Sequence, residues 1–141
     1  MAPLLLSVIL GALMGLERSI AGKQAGMRTY ALVSLGSCLF TLVGVVASYQ
    51  LSMFAGINPL QIAGSVVIGI GFIGAGLAAI RGSEHAELTT AAGIWVASAV
   101  GLACGLGMYA VATATAVLSV LVFKVFLSIE NSIRRRYGGE N

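Results

Sequence analysis

The chain has 141 residues, 58% of them hydrophobic and 9% charged, with 19 glycines, a formal charge of +3 and a mean hydropathy of +0.99. A soluble domain is about 25% charged, so this composition cannot cover a water-facing surface, which excludes a cytosolic enzyme, a secreted disulfide scaffold and a disordered tail. The eight basic residues that give the excess charge are few and sit at helix ends, as a membrane orientation signal does, so no nucleic acid is expected as a partner.

The first apolar run, Pro3 to Leu16, has 14 residues. At about 1.5 Å per residue it rises about 21 Å, short of the roughly 30 Å hydrocarbon core. The helix is therefore expected to continue through Glu17 and Arg18 towards Ala21. Met1-Ala2-Pro3 carries no basic region and no small-residue cleavage site follows, so this segment reads as a retained helix. The second run, Tyr30 to Leu51, ends at Gly56-Ile57-Asn58-Pro59, and the third, Leu60 to Ile80, ends at Arg81-Gly82-Ser83-Glu84-His85. The fourth starts at Thr89-Thr90 and stops at Gly105-Leu106-Gly107; the fifth runs from Met108 to Ile129 before Arg134-Arg135-Arg136. The expectation is an all-α membrane protein with five transmembrane helices in residues 1–129 and a basic cytoplasmic tail at 130–141. The last two tail residues, Glu140-Asn141, are compatible with the start of a protease-site tag.

Alternate loops fall on alternate sides of a membrane, and positive charge marks the cytoplasmic side. With five spans, Arg18, Lys23 and Arg28 border the first loop, Arg81 the third, and Lys124, Arg134, Arg135 and Arg136 the end of the fifth helix. All lie at one face, which predicts an N-terminus outside and a C-terminus in the cytoplasm. Lys124, one turn inside the expected helix end, can snorkel to the interface.

Small residues predict how helices meet. Gly93, Ala97, Gly101 and Gly105 recur every fourth residue, and Gly11 with Gly15 and Ser65 with Gly69 share that spacing. Such stripes let backbones approach in lipid; whether the partner belongs to the same chain or to a second copy stays open. An offset of 61 residues lays Ile9 on Ile70, Gly15-Leu16 on Gly76-Leu77, Ala25 on Ala86, Thr29 on Thr90, Ala31 on Ala92, Ser37 on Ser98 and Gly44 on Gly105. A parallel repeat would give this pattern, and so would chance in a chain so rich in glycine and alanine.

Gly69, Gly71, Gly74 and Gly76 fit a dinucleotide-binding spacing, but the strand and soluble unit that such a site needs are missing. The glycines read instead as a thin, kinked third helix that brings neighbours close, or as a local unwinding that offers carbonyls to an ion. Glu17 and Arg18 are drawn into the membrane by the shortness of the first run. Each would cost about 2.5–3.5 kcal/mol there unless compensated, and Arg28 is the expected partner of Glu17, with Thr29 and Thr90 supplying hydroxyls. Thr89-Thr90 reads as a helix N-cap and Trp95 as packing. His85 with Glu84 and Glu87 reads as a solvated loop, with a loose site for a hard or borderline metal as the alternative, and Cys38 and Cys104 read as small packed side chains. No nucleophile–histidine–acid set or carboxylate pair is present, so no enzymatic activity is expected.

Gly15-Leu16-Glu17-Arg18, Ala25-Gly26-Met27-Arg28-Thr29, Gly69-Ile70-Gly71-Phe72-Ile73-Gly74-Ala75-Gly76 and Leu88-Thr89-Thr90-Ala91-Ala92 with Trp95 resemble, in order and spacing, the motifs of the MgtC/SapB family of bacterial inner-membrane proteins. The resemblance covers roughly Leu4 to Tyr109. It implies a five-helix domain linked to magnesium limitation, intracellular growth of pathogens and, for the member that names the family, restraint of the ATP synthase. Tyr30 stands where the family often has histidine and Glu87 where it often has glycine. Members of the longer type carry a cytoplasmic domain after the last helix, and this chain resembles the shorter SapB type. Two functions are consistent with these residues: passage of an ion or small solute beside Glu17, Arg18, Arg28 and the third helix, or docking on a larger membrane complex through a glycine stripe. Neither needs a resident cofactor; magnesium enters as substrate or signal. A homo-oligomer stays open.

Overall fold

In the computed structural model, residues 1–50, 58–79 and 86–137 are described, and they form five helices: α1 (Ala2–Ile20), α2 (Met27–Gln50), α3 (Pro59–Ala79), α4 (Ala86–Gly105) and α5 (Tyr109–Tyr137). The sequence readings on Gly56, Arg81, Glu84, His85 and Gly138–Asn141 lie outside the described residues. Helix α1 does continue through Glu17 and Arg18. Its end follows from Gly22, at φ 66°: the Gly22 N–H donates to the Ser19 carbonyl at 3.2 Å and the Lys23 N–H to the Arg18 carbonyl at 3.0 Å. This pair of bonds closes a helix on a left-handed residue, where glycine has no Cβ to clash. Gly107, at φ 76°, ends α4 in the same way, with its N–H donating to Cys104 and that of Met108 to Ala103. Pro59 opens α3 at a position where a missing N–H has no intrahelical partner to lose.

Three helix ends differ from the sequence reading. Helix α2 starts at Met27 rather than Tyr30, because the Met27 N–H finds the Ser19 hydroxyl at 2.9 Å. Helix α4 starts at Ala86, so Thr89 and Thr90 lie inside its first turns and neither is the N-cap; alanine, glutamate and leucine at 86–88 propagate a helix better than threonine does. Helix α5 runs to Tyr137, through Arg134, Arg135 and Arg136, so Lys124 is well inside the helix and is exposed.

Helix α4 touches every other helix, while α2 touches α1, α3 and α4. Helix α5 lies against α1 and α4, and among the described residues α3 meets only α2 and α4. Exchanging α1–α2 with α3–α4 leaves this set of contacts among the four helices unchanged, as a two-fold relating the halves requires. Ser37 and Ser98, mates under the 61-residue offset, share a hydrogen bond of 2.9 Å between α2 and α4.

The buried stripe of α2 is Tyr30, Ser34, Ser37, Cys38, Thr41 and Gly44, recurring every three to four residues as one helix face does. Glycines let both neighbours close on it. A Cβ at Gly11 would stand 2.7 Å from the Tyr30 carbonyl oxygen, one at Gly101 would overlap the Ser34 carbonyl, and one at Gly105 would stand 2.6 Å from the Thr41 Cβ. The third helix behaves differently. It is continuous from Pro59 to Ala79, with no unwound turn, and Cβ atoms at Gly64, Gly69, Gly71 and Gly76 would meet nothing within 4 Å. Its glycines therefore do not draw neighbours of this chain close; only Gly74 comes near one, with Ala91 at 3.7 Å.

Candidate functional site

The first loop is built as tightly as the core. A Cβ at Gly15 would stand 2.6 Å from the Met27 Cα, and one at Gly26 would overlap the Ser19 hydroxyl. Two of the motifs quoted above, Gly15-Leu16-Glu17-Arg18 and Ala25-Gly26-Met27-Arg28-Thr29, thus pack on each other. Glu17 and Arg18 follow Gly15 on the inward face of α1 and are 7% and 3% exposed.

The Arg18 Nε donates to Glu17 Oε2 at 2.5 Å. Here the structure corrects the sequence reading: Arg28 is exposed, and the ion pair found among the described residues joins Glu17 to Arg18. The reason is periodicity. Arg28 and Tyr30 are two residues, about 200°, apart on α2, so only one can face the bundle, and Tyr30 does, at 0% exposure. The Arg18 guanidinium carbon lies 4.0 Å from the centroid of the Phe123 ring on α5, a cation–π arrangement. The Tyr30 hydroxyl donates to the Thr90 carbonyl at 3.4 Å. Gly93 makes room for this assembly, since a Cβ there would overlap the Tyr30 hydroxyl and stand 2.8 Å from Phe123 Cζ.

The structure therefore brings together Glu17, Arg18 and Thr90 with Tyr30, which the sequence marked only as a departure from the family pattern, and Phe123, which it did not mark. Thr29 is half-buried at the edge, and Thr89 is exposed. Gly93, Ala97, Gly101 and Gly105 are buried on α4, whereas Gly69 and Gly71 on α3 are exposed and Gly74 and Gly76 half-buried. Trp95 is half-exposed. Cys38 and Cys104 are buried and free. Among the described residues no three histidine, cysteine or acidic side chains gather as metal ligands would.

Four helical segments, Ala2–Ile20, Met27–Gln50, Leu88–Gly105 and Tyr109–Ile133, are long and apolar enough to cross a membrane, and α3 contributes a shorter apolar stretch, Gln61–Leu77. An all-α architecture with this much outward apolar surface, closed around one buried ion pair, defines a multi-pass membrane protein. The MgtC family profile matches residues 4–132, and the chain belongs to the MgtC family. It is 41% identical over 125 residues to YhiD of Escherichia coli K12, whose name assigns it provisionally to magnesium transport, covering 87% of this chain and 58% of that protein. It is 34% identical to SapB of Bacillus subtilis over 86% of this chain and 53% of that protein. To MgtC of Salmonella typhimurium it is 38% identical over 82% of this chain and 47% of that protein. The chain thus spans about half the length of these curated relatives. No solved structure gives a significant match.

Proposed function

We propose that this chain is a bacterial inner-membrane protein of magnesium-linked ion homeostasis, with five spans, its N-terminus outside and its C-terminus in the cytoplasm. The observation that carries the reading is the Glu17–Arg18 pair, almost wholly buried in an otherwise apolar helix. Ionisable groups kept at such a position, at a cost of about 2.5–3.5 kcal/mol each on insertion scales, mark an ion path or a switch more often than a scaffold. Kinship with a protein named for magnesium transport supplies the ion. The role is not enzymatic and asks for no resident cofactor: these residues provide charge, hydrogen bonds and packing. Complementation tests it. A bacterium lacking its own family member and impaired at limiting magnesium is expected to regain growth when this chain is expressed, and no gain at any expression level would contradict the proposal.

A regulatory role on a larger membrane complex has its own support. Four α3 glycines face open space, Ile68 and Phe72 beside them are 77% and 81% exposed, and an apolar groove of about 510 Å³ lies between α2 and α3. A helix from another protein would find there the close approach that glycine permits. The α4 stripe, by contrast, is occupied by α2. Magnesium flux into liposomes holding the purified protein separates the two roles: uptake above that of empty liposomes identifies transport, and its absence, with growth restored, identifies regulation.

Orientation has a separate test, because α3 decides the parity. Counting α3 as a span puts all the basic residues on one side; leaving it out puts both termini on the same side. A reporter fused after Asn141 is expected to be cytoplasmic and one inserted at Asn58 periplasmic. Both reporting from one side would contradict the five-span arrangement.

A further inference from the structure

We propose that the open cleft between α1, the loop after it, α4 and α5 binds a phosphate group, gripped by Arg18 and Lys23. The cleft measures about 860 Å³, and Arg18, Lys23, Thr89, Phe123, Phe126 and Glu130 are among its lining residues. Arg18 is 3% exposed, yet of the five N–H donors of its guanidinium only the Nε–H has an acceptor, Glu17. Among the described residues its two terminal nitrogens meet none, although the side chain lines the cleft. These nitrogens are not among the fully buried atoms without a partner, of which Ser34 Oγ is the one found among the described residues, so they keep contact with the cleft and an incoming acceptor can reach them. A guanidinium fork offering two parallel N–H groups matches the oxygens of a phosphate.

Lys23 is brought to the same cleft by the turn at Gly22, since the Lys23 N–H bonds to the Arg18 carbonyl at 3.0 Å. The Thr89 hydroxyl adds a neutral donor at the wall. Two carboxylates set the charge that the site accepts. Glu17 offsets part of Arg18, and Glu130 lines the outer wall, so the four groups sum to zero and a monoanion suits them better than a dianion. Apart from Asn131, the remaining wall, Val122, Phe126, Leu127 and Ile133, is apolar and faces outward. A cleft with a cationic floor and a hydrocarbon wall, at the end where the basic residues gather, fits a phosphodiester joined to acyl chains. Free inorganic phosphate shares the recognition chemistry. The proposal shares Arg18 with the buried pair but rests neither on transport nor on regulation, and its test reads binding rather than growth.

The test uses the purified full chain in neutral detergent with three probes: phosphatidylglycerol, diacylglycerol with the same tails, and inorganic phosphate. Melting temperature and lipid retained after gel filtration are read for each. Phosphatidylglycerol is expected to raise the melting temperature and to be retained near one per chain, while diacylglycerol does neither. Because an Arg18 variant can fail to fold, Lys23→Gln carries the test, with affinity expected to fall about tenfold on loss of one charge-assisted contact. Glu130→Gln is expected to raise affinity. Stabilisation by inorganic phosphate equal to that by the lipid would support the phosphate site and name the free anion as its source. Equal retention of diacylglycerol, or unchanged binding in Lys23→Gln, would overturn the proposal.

Discussion

Gly101→Leu is expected to abolish the folded protein in detergent. The first added atom would overlap the Ser34 carbonyl and stand 2.9 Å from the Ser37 Cβ, and a backbone carbonyl cannot swing aside as a side-chain tip can. The helices would have to separate along their seam, losing the Ser37–Ser98 hydrogen bond and the packing around Cys38 and Thr41. Overpacking of this kind costs about 3 kcal/mol or more where backbone is the obstacle. Gly69→Ala is the control. Nothing lies within 4 Å of its Cβ, so the change is expected to stabilise α3 by up to about 1 kcal/mol through helix propensity alone. Thermal melts monitored by gel filtration read both. A Gly101→Leu protein that melts like the parent would mean that α2 and α4 are not in contact at this seam.

The second large effect belongs to the ion pair. Glu17→Gln is expected to lower stability by about 3–5 kcal/mol, because removing one partner of a buried pair strands the other charge. Insertion into the membrane should not suffer, since a neutral side chain enters lipid more easily. The double change Glu17→Gln with Arg18→Gln is expected to recover part of the loss. Arg28→Gln, at an exposed position, should stay within about 0.5 kcal/mol of the parent. An Arg28→Gln protein as destabilised as Glu17→Gln, with the Glu17→Gln, Arg28→Gln double change recovering the loss, would move the pair to Arg28.

The five helices were legible as apolar runs, and the break at Gly105-Leu106-Gly107 fell where the chain turns. Helix ends were not legible where polarity and helicity part company. Hydropathy falls after Ile129, but helicity does not: α5 continues through Glu130 to Arg136. The reverse happens at Ala86, inside a polar loop by composition yet already helical. Within the site, the continuation of α1 through Glu17 and Arg18 followed from the shortness of the first run alone. The mistaken partner Arg28 was avoidable, since Tyr30, Ser34, Ser37, Cys38 and Thr41 already trace one helical face that excludes it. Phe123 gave no signal: it is one apolar residue among many on α5, and only the fold sets it over Arg18. Glycines also read alike whether they meet a neighbour, as on α4, or open space, as on α3.

The buried pair either serves ion homeostasis or only holds α1 in place, and growth at limiting magnesium with the Glu17→Gln, Arg18→Gln double variant distinguishes the two most directly. That variant removes both charges without stranding either, and its amount in the membrane is read beside growth. If the charges serve the function, it fails to restore growth when expressed to the parent's level in the membrane. Full restoration by the charge-free protein would contradict the account.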